Sequence, residues 1–162
     1  MMMLMTMMLL VLPVMGRFVR RYEPGALVIE FGHPRTATTL QHEIASFMAG
    51  LKNNEVGLEK PKRQFVDRVT EDHLKANRVL KTHDRLEAFP LELLETAELP
   101  VLLLTTKETD FPEVAYVQHK DDVERLSVAA VIPIYADIFN LTRTQTDVAL
   151  AYVPFLYRTN FI

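Results

Sequence analysis

The sequence has no cysteine, which excludes disulfides, thiolate zinc sites and a cysteine nucleophile. The compartment stays open, because a domain of this size also folds without bridges outside the cell. Any long Lys/Arg run is missing too. The 18 basic residues are scattered among 21 acidic ones for a formal charge of −3, which argues against nucleic acid as a partner. His42, His73 and His119 share no ligand spacing, so no metal centre is expected. After residue 16 there is neither an internal repeat nor a low-complexity tract.

What is present is the composition of a folded protein. An apolar share of 49% with 24% charged residues over 162 positions suits a single core and demands no second one. The N-terminus stands apart, because seven of the eight methionines fall in residues 1–15, MMMLMTMMLLVLPVM. This run, with Pro13 near its end, is shorter than the about 20 apolar residues of a bilayer span and closer to a signal core or a buried helix. Residues 1–21, closed by Arg17, Arg20 and Arg21, therefore read as an anchor, a targeting segment, a helix docked on a partner subunit or a gene-model artefact. As an anchor, the arginines would keep the following region on the cytoplasmic side. A membrane-associated or organellar setting is expected over a freely cytosolic one. Residues 22–162 form the domain proper.

Residues 26–31, ALVIEF, follow the Tyr22-Glu-Pro-Gly25 turn signal and have the length and apolar character of a buried parallel strand. From Thr38, the residues Leu40, Ile44, Phe47, Met48 and Leu51 recur at helical spacing until Gly50 and Asn53-Asn54 end the pattern. Residues 54–63 are polar and read as a surface connection. A Thr-capped helix is expected over 70–77, a short strand over 78–82 ending at His83, and a helix opened by Pro90 that closes before Pro100. Residues 101–105, VLLLT, form the next apolar strand. Helices follow at 121–130 and 145–152, with Pro133 and Pro154 as punctuation. This alternation predicts an α/β fold, a three-layer parallel sheet flanked by helices with a helical C-terminal part. Glu92, Glu95 and Glu98 mark a solvated helix face. Tyr135, Phe139, Tyr152, Phe155, Tyr157 and Phe161 concentrate aromatics in the last third, as core or as a partner surface. Asn140-Leu-Thr142 is a glycosylation sequon in a helical region, of a kind that arises often by chance.

Between the first strand and helix lies Gly32-His-Pro-Arg-Thr-Ala-Thr-Thr39. A loop in that place aims backbone N–H groups at one point, backed by the positive end of the helix, which suits a phosphate or sulfate. Arg35 adds charge, and Thr38 and Thr39 add hydroxyls. His33 lies within reach of the same anion or in solvent. The loop is not a Walker A motif, since Ala37-Thr38 stands where Gly-Lys would be.

With Pro34, Arg35, Thr38 and Thr39 in place, the loop resembles that of the P-loop sulfotransferases, usually spelled P-[KR]-S-G-T-T. Thr36 stands for the serine and Ala37 for the glycine. A side chain at a position that asks for positive φ costs of order 1 kcal/mol. Arg78-Val-Leu-Lys-Thr-His83, with Pro90-Leu-Glu-Leu-Leu94 after it, is similar to the K-T-H segment of the cytosolic members. The resemblance implies 3′-phosphoadenosine 5′-phosphosulfate, or its product adenosine 3′,5′-bisphosphate, held by Pro34, Arg35, Thr36, Ala37, Thr38 and Thr39. It implies Lys81 neutralising the transferring sulfonate and His83 taking the proton of a hydroxyl or amine acceptor, on a small molecule or a glycan. The family's 3′-phosphate arginine falls on Lys107 and its serine on Ala115; a second alignment on Tyr116-Val117 gives His119 and Ser127 instead. A lysine offers a point charge where arginine offers a fork, so the resemblance implies a weakened 3′-phosphate grip.

The likeness spans residues 26–115 with motifs and extends loosely to 157. No counterpart of the family's later helices and basic Gly-containing lid occurs before Ile162. Two functions are therefore expected: a truncated sulfotransferase, or a non-catalytic descendant serving as accessory subunit of a larger, membrane-bound assembly.

Overall fold

The computed structural model describes residues 18–160, the side chains of 124–126 and 156–160 excepted. Its centre is an all-parallel five-stranded sheet: β1 (Leu27–Phe31), β2 (Lys62–Val66), β3 (Arg78–Thr82), β4 (Val101–Thr105) and β5 (Val114–Val117). Their spatial order is β2-β3-β1-β4-β5. The helices are α1 (Thr38–Glu55), α2 (Leu91–Glu95), α3 (Lys120–Leu126), α4 (Val128–Ile138) and α5 (Arg143–Asn160), with 3₁₀ turns at Glu71–Lys75 and Leu86–Ala88. The expected three-layer α/β arrangement is what the chain adopts.

The pleat divides the apolar strand residues between two cores. Val28, Val79, Leu102 and Leu104 pack with Leu40, Ile44 and Met48 of α1, Val131, Ile132 and Tyr135 of α4, and Ala149 and Val153 of α5. On the other face Leu27, Ile29, Phe31, Leu80, Val101 and Leu103 pack with Leu74, Leu86, Phe89 and Leu94, which lie on or beside short turns and α2. β1 and β4 are buried at every position, which is why they read as continuous apolar runs.

Several elements differ from the sequence expectation. Residues 62–66, expected partly as a surface connection, form β2; as an edge strand it buries Val66 alone, so KRQFV carries no apolar period. β5 is likewise an edge strand in a stretch given no element. The helix expected at 70–77 is a single 3₁₀ turn, opened by a capping box in which the Thr70 amide donates to His73 Nδ1 at 3.0 Å. The helix expected at 121–130 breaks at Ser127, whose φ of 73° is not helical. Pro133 and Pro154 lie inside α4 and α5 and do not end them; in α4 the buried face from Val128 to Ile138 compensates for the missing donor.

Residues 1–17, with the Met-rich run, and Phe161 lie outside the described residues, as does the Tyr157 side chain. Residues 18–21 adjoin the sheet: Phe18 bridges Val101, Arg20 donates to the Val114 carbonyl at 2.8 Å, and Arg21 pairs with Asp137 at 2.9 Å. Among the described residues no helix is long and apolar enough to cross a membrane. At the amino edge of the sheet, the Tyr22 hydroxyl donates to Asn53 Oδ1 at 2.7 Å, and Asn53 Nδ2 reaches Asn77 Oδ1 at 3.1 Å. This buried polar knot ties the start of β1 to the last turns of α1.

Candidate functional site

The strand order fixes where a site can form. After β1 the chain crosses toward β2, and after β3 it crosses over β1 to β4. The connections leaving the carboxyl ends of β1 and β3 therefore run in opposite directions, and that of β4 leads away from β1 to β5, so the carboxyl end of β1 is the topological switch point at which open α/β sheets bind ligands. Residues 32–37 leave β1 there, and His83 follows β3 there.

The loop is shaped by two left-handed residues, Arg35 at φ 65° and Ala37 at φ 60°. Ala37 is the N-cap of α1 and offers no side-chain cap; the first turn closes with the Gln41 amide donating to the Ala37 carbonyl at 3.2 Å. The amides ahead of it have no intrahelical acceptor. The expected strain at Ala37 is thus present in the backbone. Thr36 ties the loop down through its Oγ1, which donates to the His33 carbonyl at 2.6 Å and meets Thr106 Oγ1 at 2.6 Å. Gly32 is needed for space: a methyl group there would overlap Glu30 Oε1 and the Thr38 side chain.

Lys81 and His83 meet this loop. Lys81 Nζ donates to Thr39 Oγ1 at 2.8 Å, and its ammonium lies 5.7 Å from the Phe65 ring centroid. His83 Nδ1 lies 2.8 Å from the Gly32 carbonyl. A carbonyl only accepts, so Nδ1 carries the proton and Nε2 is left as a free acceptor. Phe65, 52% exposed, sets its ring edge to face against His83 at 5.2 Å. Burial pulls the Lys81 ammonium below its ordinary value, while Glu30 and Glu43 pull the other way.

The remaining residues singled out in the sequence are not drawn into this cluster. Lys107, just past β4, pairs with Glu87 at 3.3 Å. Ala115 is within β5 against the core. His119 pairs with Glu108 at 3.2 Å, and Ser127 sits exposed at the junction of α3 and α4. His33 and Arg35 are exposed on the loop. Among the described residues no group of His, Asp and Glu side chains converges as a metal site.

Two residues at the site carried no signal that the sequence reading used. Phe65 lies on the unread strand β2. Glu30, the one charged residue in ALVIEF, is fully buried, with neither carboxylate oxygen hydrogen-bonded to protein. Burial raises its carboxyl to about 9, and nearby Lys81 offsets only part of that. It is therefore neutral at neutral pH. Close by, Gln41 Nε2 donates to the Thr105 carbonyl at 3.1 Å and the Tyr135 hydroxyl to Gln118 Oε1 at 2.6 Å. His42, one turn into α1, is buried and lowered to about 4, by desolvation first and then by Arg63 and Lys81.

No known protein family, curated protein or solved structure matches the chain.

Proposed function

We propose that this chain is a P-loop-type, sulfotransferase-like protein that binds the 5′-phosphosulfate of 3′-phosphoadenosine 5′-phosphosulfate in the loop of residues 32–39. It transfers the sulfuryl group to a hydroxyl or amine acceptor. The observation that carries this reading is the meeting of three independent parts at the switch point: free first-turn amides behind Ala37, Lys81 linked to Thr39, and His83 fixed on the Gly32 carbonyl.

Sulfuryl transfer asks a protein for in-line positioning and charge stabilisation, as phosphoryl transfer does. The loop amides, Arg35, Thr38 and Thr39 hold the diphosphate-like end, with Pro34, Thr36 and Ala37 setting the loop's course. As the bond from sulfur to the bridging phosphate oxygen breaks, Lys81 and the helix N-terminus take up the charge developing on that oxygen. The acceptor oxygen bonds to sulfur and loses its proton to His83 Nε2, and adenosine 3′,5′-bisphosphate leaves. The exposed face of Phe65 offers apolar support for the acceptor beside His83. Lys107 and Ser127 are assigned to the 3′-phosphate, with Lys107 first released from Glu87.

Calorimetric titration with adenosine 3′,5′-bisphosphate tests the reading; no heat at millimolar ligand removes it. A labelled-donor transfer assay on wild type and His83→Ala follows, and equal rates would remove the base assignment. The second reading, an accessory subunit that docks on other proteins of a membrane-bound assembly, draws on one observation. Ile134, Leu150, Tyr152 and Phe155 on α4 and α5 are 42%, 40%, 59% and 64% exposed. Purification as a monodisperse monomer with its N-terminus intact would count against it.

A further inference from the structure

Glu30, next to last in the central strand, carries a carboxyl that has no reason to be there as packing. Its residue is 0% exposed, and both oxygens lack a protein partner. It rises past Gly32 to Thr38, so close that only glycine fits between them. That places it directly beneath the turn whose amides face the anion. An ionised carboxylate in such a place is strongly disfavoured unless something neutralises it.

Five neighbours bear on what that something is. Lys81 is its cross-strand neighbour, Glu30 standing opposite Lys81 in the β1–β3 register, but the ammonium is committed to Thr39 and forms no ion pair with Glu30. On β4 the register partner is Leu104, which is apolar. From α1 come Thr38, which is neutral, and His42, which burial holds uncharged. From α4 comes the Tyr135 hydroxyl, held neutral by burial and pushed up slightly further by Glu30. A metal cation would sit between a helix's positive end and Lys81, so it is the wrong neutraliser. A proton is the right one.

We infer that Glu30 is a positioning residue for the loop: its buried carboxyl keeps a proton, and the loop accepts an oxyanion only while that proton stays. The logic is mutual repulsion. An ionised Glu30 would stand behind the same amides that face the bound anion, cancel their potential and compete for Lys81. A neutral one fills the space under the turn at no electrostatic cost to the ligand. By linkage, a bound anion must in turn hold the proton on Glu30 more tightly. The inference rests on the anion-binding reading of the loop, but protonation of Glu30 is measurable without any ligand.

The experiment has two arms on the full chain, with wild type and the near-isosteric Glu30→Gln. The first is thermal melting from pH 5 to pH 9. Because the native carboxyl holds its proton up to about pH 9 while the unfolded one loses it near its ordinary value, wild-type stability falls with rising pH across this window. Glu30→Gln lacks that slope, so the two melting temperatures lie together at pH 5 and separate steadily toward pH 9. Parallel profiles overturn the inference. Should the variant fail to fold, the protonated-carboxyl infrared band of wild type at pH 7 decides: its presence supports a neutral Glu30, its absence overturns it.

The second arm measures the affinity for inorganic pyrophosphate against pH. Wild type should bind about tenfold more weakly at pH 10 than at pH 8 through Glu30, and Glu30→Gln should lose that component, keeping the part due to Lys81 and to the last ionisation of pyrophosphate itself, which both proteins share. Equal pH profiles in both proteins overturn the link to the loop while leaving anion binding intact. Binding by neither protein at any pH overturns both the link and the proposed function, and the melting arm then still tells whether Glu30 is neutral.

Discussion

The two halves of the sheet's carboxyl edge are built differently. Around β1 and β3 the two groups proposed for the transfer are each fixed by a neighbour on another element: His83 by the Gly32 carbonyl and Lys81 by Thr39. Around β4 and β5 the one cation placed for a ligand, Lys107, is half-exposed and occupied by Glu87, and Ser127 lies beyond α3. Preorganised groups contribute most where charge develops, because no reorganisation is needed at that moment. A surface pair such as Lys107 with Glu87 must first be parted. Under the proposed function, this difference puts the chemistry in the first half and leaves the second as an adjustable grip.

The sharpest test removes one cation from each half. Lys81→Ala should lower the transfer rate by about 10²- to 10³-fold, the usual effect of deleting a preorganised oxyanion donor. Lys107→Ala should change it much less and act on nucleotide affinity. Comparable losses in kcat for both, measured with labelled donor, would erase the distinction. Next in size is the packing under the loop. Gly32→Ala drives a methyl group into Glu30 and Thr38 and should cost about 1–3 kcal/mol by denaturant melting, the range for overpacked sites. Ala37→Gly relieves a left-handed φ of 60° and should stabilise the fold by about 1 kcal/mol. If it is neutral, the first half is less strained than its backbone implies. The smallest effect belongs to Glu87→Gln. It frees Lys107 from an exposed pair of a kind worth about 0–1 kcal/mol, so affinity for adenosine 3′,5′-bisphosphate should rise no more than about fivefold by calorimetry.

The centre of the sheet was more legible than its edges. β1 and β4 announce themselves as short apolar runs, because buried parallel strands need apolar residues on both faces, and β3 buries Val79 and Leu80 between them. The loop follows from them by position, and Lys81 and His83 from the resemblance of residues 78–83 to the K-T-H segment. The edge strands β2 and β5 carry no such run: one side faces solvent, and KRQFV presents four residues outward for one buried. Phe65 was invisible for that reason. Glu30 escaped for a different one, since a lone acid in ALVIEF looks like a tolerated interruption until the fold closes over it. Pro133 failed to break a helix because the buried face of α4 overrode local preference, whereas Ser127, exposed and at φ 73°, broke one without a glycine or proline.

Among the described residues, the strand that comes first is the middle of the sheet. Val28 meets Val79 on one side and Leu102 on the other, so on a ribosome the segment from Leu27 to Phe31 emerges with both edges bare and waits for partners more than fifty residues downstream. Assembly of this molecule is consequently a late event, gated by translation through β4, and an apolar template stands open to stray pairing until then.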